Sequence, residues 1–197
     1  MKKRIEIREL IMCALFVALI TAGTFIRIPI GNDVYTLQFL FTLLAGLVLG
    51  ARLGMLAVLA YVVMGLVGIP VFASGGGPGY IAQPTFGYLL GFIVQAYVCG
   101  KFSRSLNKRN LMHLLGVNLI GMAVVYMFGL IWFYVVSNYV ISAPVSLWWV
   151  IFYCGILQIG PDFLLCLAAA ELGLRFAHAG FWLDCDEQTP KFSPKDA

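Results

Sequence analysis

The sequence predicts an all-α, polytopic membrane protein of six transmembrane helices, and three observations predict it. Of its 197 residues 61% are hydrophobic and only 11% charged, where a soluble domain carries about 25% charged residues. The apolar residues, at a mean hydropathy of +0.93, stand in long runs without the period-two alternation of a barrel strand, and in lipid a backbone can bond only to itself. The charges gather at the ends of those runs. The net charge of +4 therefore orients the chain in a bilayer and does not mark a nucleic-acid surface.

A span needs about 20 apolar residues. Runs of that order place helices at residues 9–26, 36–50, 53–67, 84–102 and 111–136. The region 144–176 is too long for one untilted span and contains Gly160-Pro161. Proline removes a backbone donor and clashes with the preceding turn, so the region divides into a Trp-rich interfacial helix at 146–158 and a sixth membrane helix at 161–176. Lys2, Lys3 and Arg4 ahead of the first run imitate a signal peptide. That run outlasts an h-region, however, and Ile20 stands where a cleavage site ending at Ala22 needs a small residue. It is read as a membrane helix. The single membrane domain is expected to cover 1–180, with 181–197 a polar cytoplasmic tail.

Six spans put Lys2, Lys3, Arg4, Arg8, Arg52, Lys101, Arg104, Lys108, Arg109 and Arg175 on one side and leave only Arg27 on the other. Both termini are then expected in the cytoplasm. Tyr139, Trp148, Trp149 and Tyr153 read as an aromatic belt at the outer interface.

The stretch from Gly68 to Phe92, GIPVFASGGGPGYIAQPTFGYLLGF, holds no charged side chain but seven glycines and three prolines. Its first part cannot hold a helix. From Pro84 an apolar run begins, and proline suits a first helical position. The expectation is a Gly-rich lid that feeds a helix N-terminus and closes over a small ligand. Ser74, Tyr80 and Gln83 edge that lid, and Thr85 and Tyr88 fall about one turn apart at the start of the helix. Free N–H groups there could receive an anion, as could a nest in the glycine run.

Asp162, directly after Pro161, is expected in the first turn of helix six, where the dipole favours a carboxylate. An ionisable group at membrane depth is also a candidate for ligand contact. Gln38, early in a short apolar helix, must find partners, either across a helix interface or on a ligand. Ala14, Ala18 and Ala22 form a small-residue stripe that allows close backbone approach, within this bundle or to a partner. The five cysteines read as small core hydrophobes in no metal-ligand spacing. Neither a Ser–His pair nor an HExxH occurs in the spans, which argues against a hydrolase and leaves no catalytic residue or metal ligand to assign.

Taken together, Leu37-Gln38, Ala45-Gly46, Leu49-Gly50-Ala51-Arg52-Leu53-Gly54, Tyr61, the run GLVGIPVFA from Gly65, the run PTFGYLLGF from Pro84 and finally Gly160-Pro161-Asp162 resemble the BioY family. These are the biotin-binding S components of energy-coupling-factor (ECF) vitamin transporters. The resemblance implies an S-component bundle in a prokaryotic plasma membrane, one external biotin site and no cofactor. It also implies assembly with a transmembrane coupling subunit, docked on Ala14 and Ala18, and with two cytoplasmic ATPases. This chain has no GxxxxGK[ST] motif, so the energy must come from elsewhere.

By the same resemblance Gln38 and Asp162 would take the ureido ring, while the lid around Ser74 and the helix start near Tyr88 would face the valerate tail. Tyr80, Gln83 and Thr85 complete the expected binding set. The family commonly carries a lysine three positions after the aspartate; here that position is Leu165. The ligand carboxylate is therefore expected on the N–H groups of the glycine loop and of the fourth helix, with Arg27 second. Three other readings stay open: an S component for another small vitamin, a stand-alone proton-coupled carrier using Asp162, and a structural membrane subunit.

Overall fold

The computed structural model describes residues 6–30, 33–105 and 110–181, with the side chains of 27–35 outside the description. The helices are α1 (Ile7–Phe25), α2 (Gln38–Leu49), α3 (Ala51–Val67), α4 (Phe86–Ser105), α5 (Leu111–Tyr139), α6 (Leu147–Ile151) and α7 (Leu157–His178). The last two join through a π-helical turn at Phe152–Ile156 into one rod of 32 residues. The fold is thus all-α with six membrane helices. α1, α5 and the α6–α7 rod are each long and apolar enough to cross a bilayer, and α2 and α3 are shorter apolar helices. Of the aromatic belt, Tyr139, Trp148, Trp149 and Tyr153 are all exposed. The expected tail lies outside the described residues from 182 onward.

The expected break at Gly160-Pro161 is not there. Pro161 lies inside α7, although its ring removes the donor that the Leu157 carbonyl would use. The π turn immediately upstream takes up an extra residue, with the Leu157 N–H reaching the Phe152 carbonyl. Such a turn lets a helix bend without ending. Asp162 is consequently in mid-rod, so the helix-dipole account of its position fails.

The other boundaries move for local reasons. Residues 27–36 form an antiparallel hairpin, β1 (Arg27–Ile30) and β2 (Asp33–Thr36), in which Arg27 pairs with Thr36. This pushes the start of α2 to Gln38. Pro78–Ala82 is a 3₁₀ turn, so the glycine stretch does hold one short helical piece. Pro84 sits in a turn two residues ahead of α4 and is not its first position.

α4 packs against α5, α2 and α3. Small residues make this possible: a Cβ on Gly46 would stand 2.6 Å from the Ala96 carbonyl oxygen, and one on Gly54 2.7 Å from that of Ala45. Without a hydrophobic drive between helices in lipid, this close backbone packing carries the association. At the end of the bundle opposite the hairpin, Gly50, at φ +88°, turns α2 into α3. There the buried Arg104 guanidinium donates to the carbonyls of Leu47 (3.5 Å), Val48 (3.2 Å) and Gly100 (3.4 Å). It closes the C-terminal end of α2, where a cation is favoured. Arg104→Ala should lower stability by about 2 kcal/mol, because two buried carbonyls lose their donor. Ligand affinity should stay unchanged in the same thermal-unfolding series.

The alanine stripe of α1 faces outward: Ala14, Ala18 and Ala22 are all exposed, while Phe16, Ile20 and Gly23 turn inward. Packing within this bundle does not account for the stripe. Four cysteines are free, with Cys99, Cys154 and Cys166 buried; Cys185 lies outside the described residues.

Candidate binding site

At the hairpin end the helices splay around a cavity of about 350 Å³, at the small end of the roughly 300–1,000 Å³ typical of ligand pockets. The lid that covers it is a fixed structure. Phe72, fully buried, packs tilted against Tyr80 at 4.5 Å between ring centroids and edge-on to Tyr61 at 5.5 Å. The Tyr61 hydroxyl donates to the Val71 carbonyl at 3.0 Å and shares a 3.0 Å hydrogen bond with Thr24 of α1. Gly75, at φ +111°, makes the sharp return that lets its N–H donate to the Phe72 carbonyl and its own carbonyl accept from Phe72.

That order engages some of the amides expected to bind an anion. The Gly75 N–H goes to Phe72 and the Gly77 N–H to the Gly65 carbonyl at 2.7 Å. At the start of α4, the Phe86 and Tyr88 N–H groups go to the carbonyls of Gln83 and Thr85. The glycine run and the start of α4 are thus tied in part to neighbouring carbonyls. Arg27 keeps its backbone place opposite Thr36, and its side chain lies outside the described residues.

Six of the seven residues expected at the site line this one cavity: Gln38, Ser74, Tyr80, Thr85, Tyr88 and Asp162. Gln83 is not among them. Its carbonyl accepts from Trp132 Nε1 at 3.3 Å, a bond that fastens the end of the lid to α5. Eight other lining residues escaped the sequence, among them Thr36, Phe39, Tyr126 and Gln158. Gln158 stands one turn before Asp162, a spacing that could have been seen had the region been kept as one helix. Tyr126 sits among the apolar residues of α5 with no local cue.

Asp162 accepts a 2.7 Å hydrogen bond from the Tyr126 hydroxyl, which holds one carboxylate oxygen and leaves accepting capacity for a ligand. The Gln38 amide, 95% buried, has an Nε2 with no partner. A buried donor left in that state costs about 1–3 kcal/mol, a cost that an acceptor on a ligand would offset. Between them Phe39 and Phe92 present an apolar wall, their centroids 6.2 Å apart. Tyr88 donates to the Cys154 carbonyl of the π turn at 3.3 Å, and its ring occupies the space that a Cβ on Gly129 would need. The cavity sets an amide, a carboxylate and several hydroxyls beside an apolar wall. It can bind; it offers no nucleophile with a base. Among the described residues no cluster of metal ligands occurs.

The model of the BioY family matches residues 1–180. The chain belongs to the BioY family. A probable biotin transporter BioY of Lysinibacillus sphaericus is 39% identical over 176 residues, spanning 89% of each protein. The biotin transporter BioY of Thermotoga maritima is 41% identical over 123 residues, 62% of this chain and 72% of that one. In three dimensions the S component for biotin from an ECF-type ABC transporter superposes with a TM-score of 0.76 over 87% of this chain and 91% of its own, at 24% identity. At that identity the match establishes the S-component fold alone, and a BioY chain with this fold is a membrane transport component and not an enzyme.

Proposed function

We propose that the chain is the biotin-binding S component of an ECF-type transporter, and that the observation carrying this is a single cavity lined both by Gln38, whose Nε2 has no partner, and by Asp162, a carboxylate with acceptor capacity to spare. A ureido ring presents one carbonyl acceptor flanked by two N–H donors. Its carbonyl takes the Gln38 Nε2 proton, an N–H goes to Asp162, and the thiophane ring and valerate chain lie along Phe39 and Phe92. Tyr88, Tyr80, Thr85 and Ser74 surround the tail beneath the lid. The relatives named as biotin transporters support the choice of vitamin.

Uptake then needs no chemistry in this chain. The S component captures biotin from outside, with both termini in the cytoplasm of a prokaryotic cell. A transmembrane coupling subunit docks on the exposed Ala14–Ala18 face of α1, and two ATPases supply the energy. Exposure of that stripe is what favours a partner over internal packing.

The test is Gln38→Leu. Removing a buried donor without a partner leaves the ligand-free protein as stable as before or more so, while affinity for biotin falls by about 10-fold or more. Thermal unfolding with and without biotin reads both effects. Unchanged affinity in a folded variant would refute the assignment of the ring to the Gln38 end.

A further inference from the structure

We infer that Gln158 recognises the tail of the vitamin, its side-chain amide donating to the ligand carboxylate, and that this residue sets which tails the site accepts. The inference deepens the biotin reading above and rests on it. Residues 154, 158, 162 and 166 fall four apart along the α6–α7 rod and form one stripe of it. The stripe faces inward: Cys154 and Cys166 are buried, while Ile156, Leu157, Ile159, Phe163 and Leu164 on the other sides of the rod are exposed. Three of its four positions are held by a hydrogen bond across the bundle. The Cys154 carbonyl accepts from Tyr88 of α4 at 3.3 Å, the Asp162 carboxylate from Tyr126 of α5 at 2.7 Å, and the Cys166 carbonyl from Asn118 of α5 at 2.9 Å. The fourth position is Gln158, partly buried and in the wall of the same cavity as Asp162.

These bonds also order the stripe from the lid inward. Tyr88 stands in the first turn of α4, directly after the lid, so Cys154 is at the lid end. Asn118 is fully buried in the first half of α5, so Cys166 is deep in the bundle. Gln158 lies between them, about 6 Å from Asp162 along the axis at 1.5 Å per residue, on the lid side. Side chains of a helix lean toward its N-terminus, which here is again the lid end. With the ureido ring at Gln38 and Asp162, that step carries the Gln158 amide past the ring and along the valerate chain. An N–H given to a carboxylate makes a stronger bond than one given to a neutral acceptor, and the oxygen of the same amide can accept from a tail that donates. A fixed charge at this position would choose between the two kinds of tail.

The experiment is titration of the purified full chain with biotin and with biotinamide, its uncharged primary amide of the same size, and the quantity read is the ratio of the two affinities. Gln158→Glu should shift that ratio toward biotinamide by about 10-fold or more, because the introduced carboxylate repels the acid and accepts from the amide. Gln158→Lys should shift it toward biotin by about 10-fold or more, because an ammonium group only donates and pairs with the acid. Binding of the favoured ligand certifies the fold of each variant. A ratio within about threefold of the unsubstituted chain in both variants, or displaced in the same direction in both, places Gln158 against the ring or away from the ligand and overturns the inference while the biotin assignment stands. Failure of the unsubstituted chain to bind either ligand strikes the assignment itself.

Discussion

Asp162→Asn should weaken biotin binding by about 30- to 1,000-fold while the protein remains folded. The carboxylate has one fixed partner, the Tyr126 hydroxyl at 2.7 Å, and offers its remaining acceptor positions to the slot. A hydrogen bond to a charged group contributes about 1.5–3 kcal/mol, and asparagine does more than lose that charge. Tyr126 fixes the amide by donating to its oxygen, so the amide turns its N–H₂ toward the ureido N–H, and two donors confront each other. Opposed donors in a desolvated slot carry the loss beyond that of a single missing bond. Tyr126→Phe removes only the brace and should cost about 3- to 10-fold. Titration calorimetry on the two variants reads both. A smaller loss for Asp162→Asn than for Tyr126→Phe would mean that Asp162 serves the fold and not the ligand.

Gly65→Ala should nearly abolish binding, although alanine is by propensity the better helix former by about 1 kcal/mol. A Cβ at this position of α3 falls onto the Phe72 ring, and Phe72 is the plug of the lid, packed between Tyr61 and Tyr80. The ring has nowhere to go inside a close-packed core, and overpacking of this sort costs about 1–3 kcal/mol. Much of that strain is released by expelling Phe72. This withdraws Tyr80 from the cavity wall and frees the Val71 carbonyl from the Tyr61 hydroxyl. The decisive control is the pair Gly65→Ala with Phe72→Leu, where the smaller side chain makes room for the methyl group. Binding that returns in the double variant locates the fault in the lid, and binding that stays lost places it elsewhere in α3.

What could be read in the sequence followed how local each determinant is. Hydrophobic runs and terminal charges depend on neighbouring residues alone, and five of the six membrane helices lie within a few residues of their expected places. The sixth misled because proline was weighed as it acts in water. In an apolar rod the break has no solvent to satisfy it, and the π turn at Phe152–Ile156 absorbs the mismatch instead. The cavity was legible where a polar residue interrupts an apolar run, as Gln38 and Asp162 do. Tyr126 and Phe39 were not, because nothing in α5 or α2 singles out one aromatic among many apolar neighbours. The glycine run supplies Ala73, Ser74 and Tyr80 to the cavity wall. Two of its amides, those of Gly75 and Gly77, have internal partners in the carbonyls of Phe72 and Gly65, which are set by tertiary folding and not by the glycines themselves.

The most direct measurement is a structure of the chain with biotin bound. The account predicts the ureido oxygen at about 3 Å from Gln38 Nε2 and a ureido nitrogen at about 3 Å from an Asp162 carboxylate oxygen, with the tail pointing to Ser74 and Thr85. A biotin found reversed, with its carboxylate at Gln38 and its ring under the lid, would contradict it.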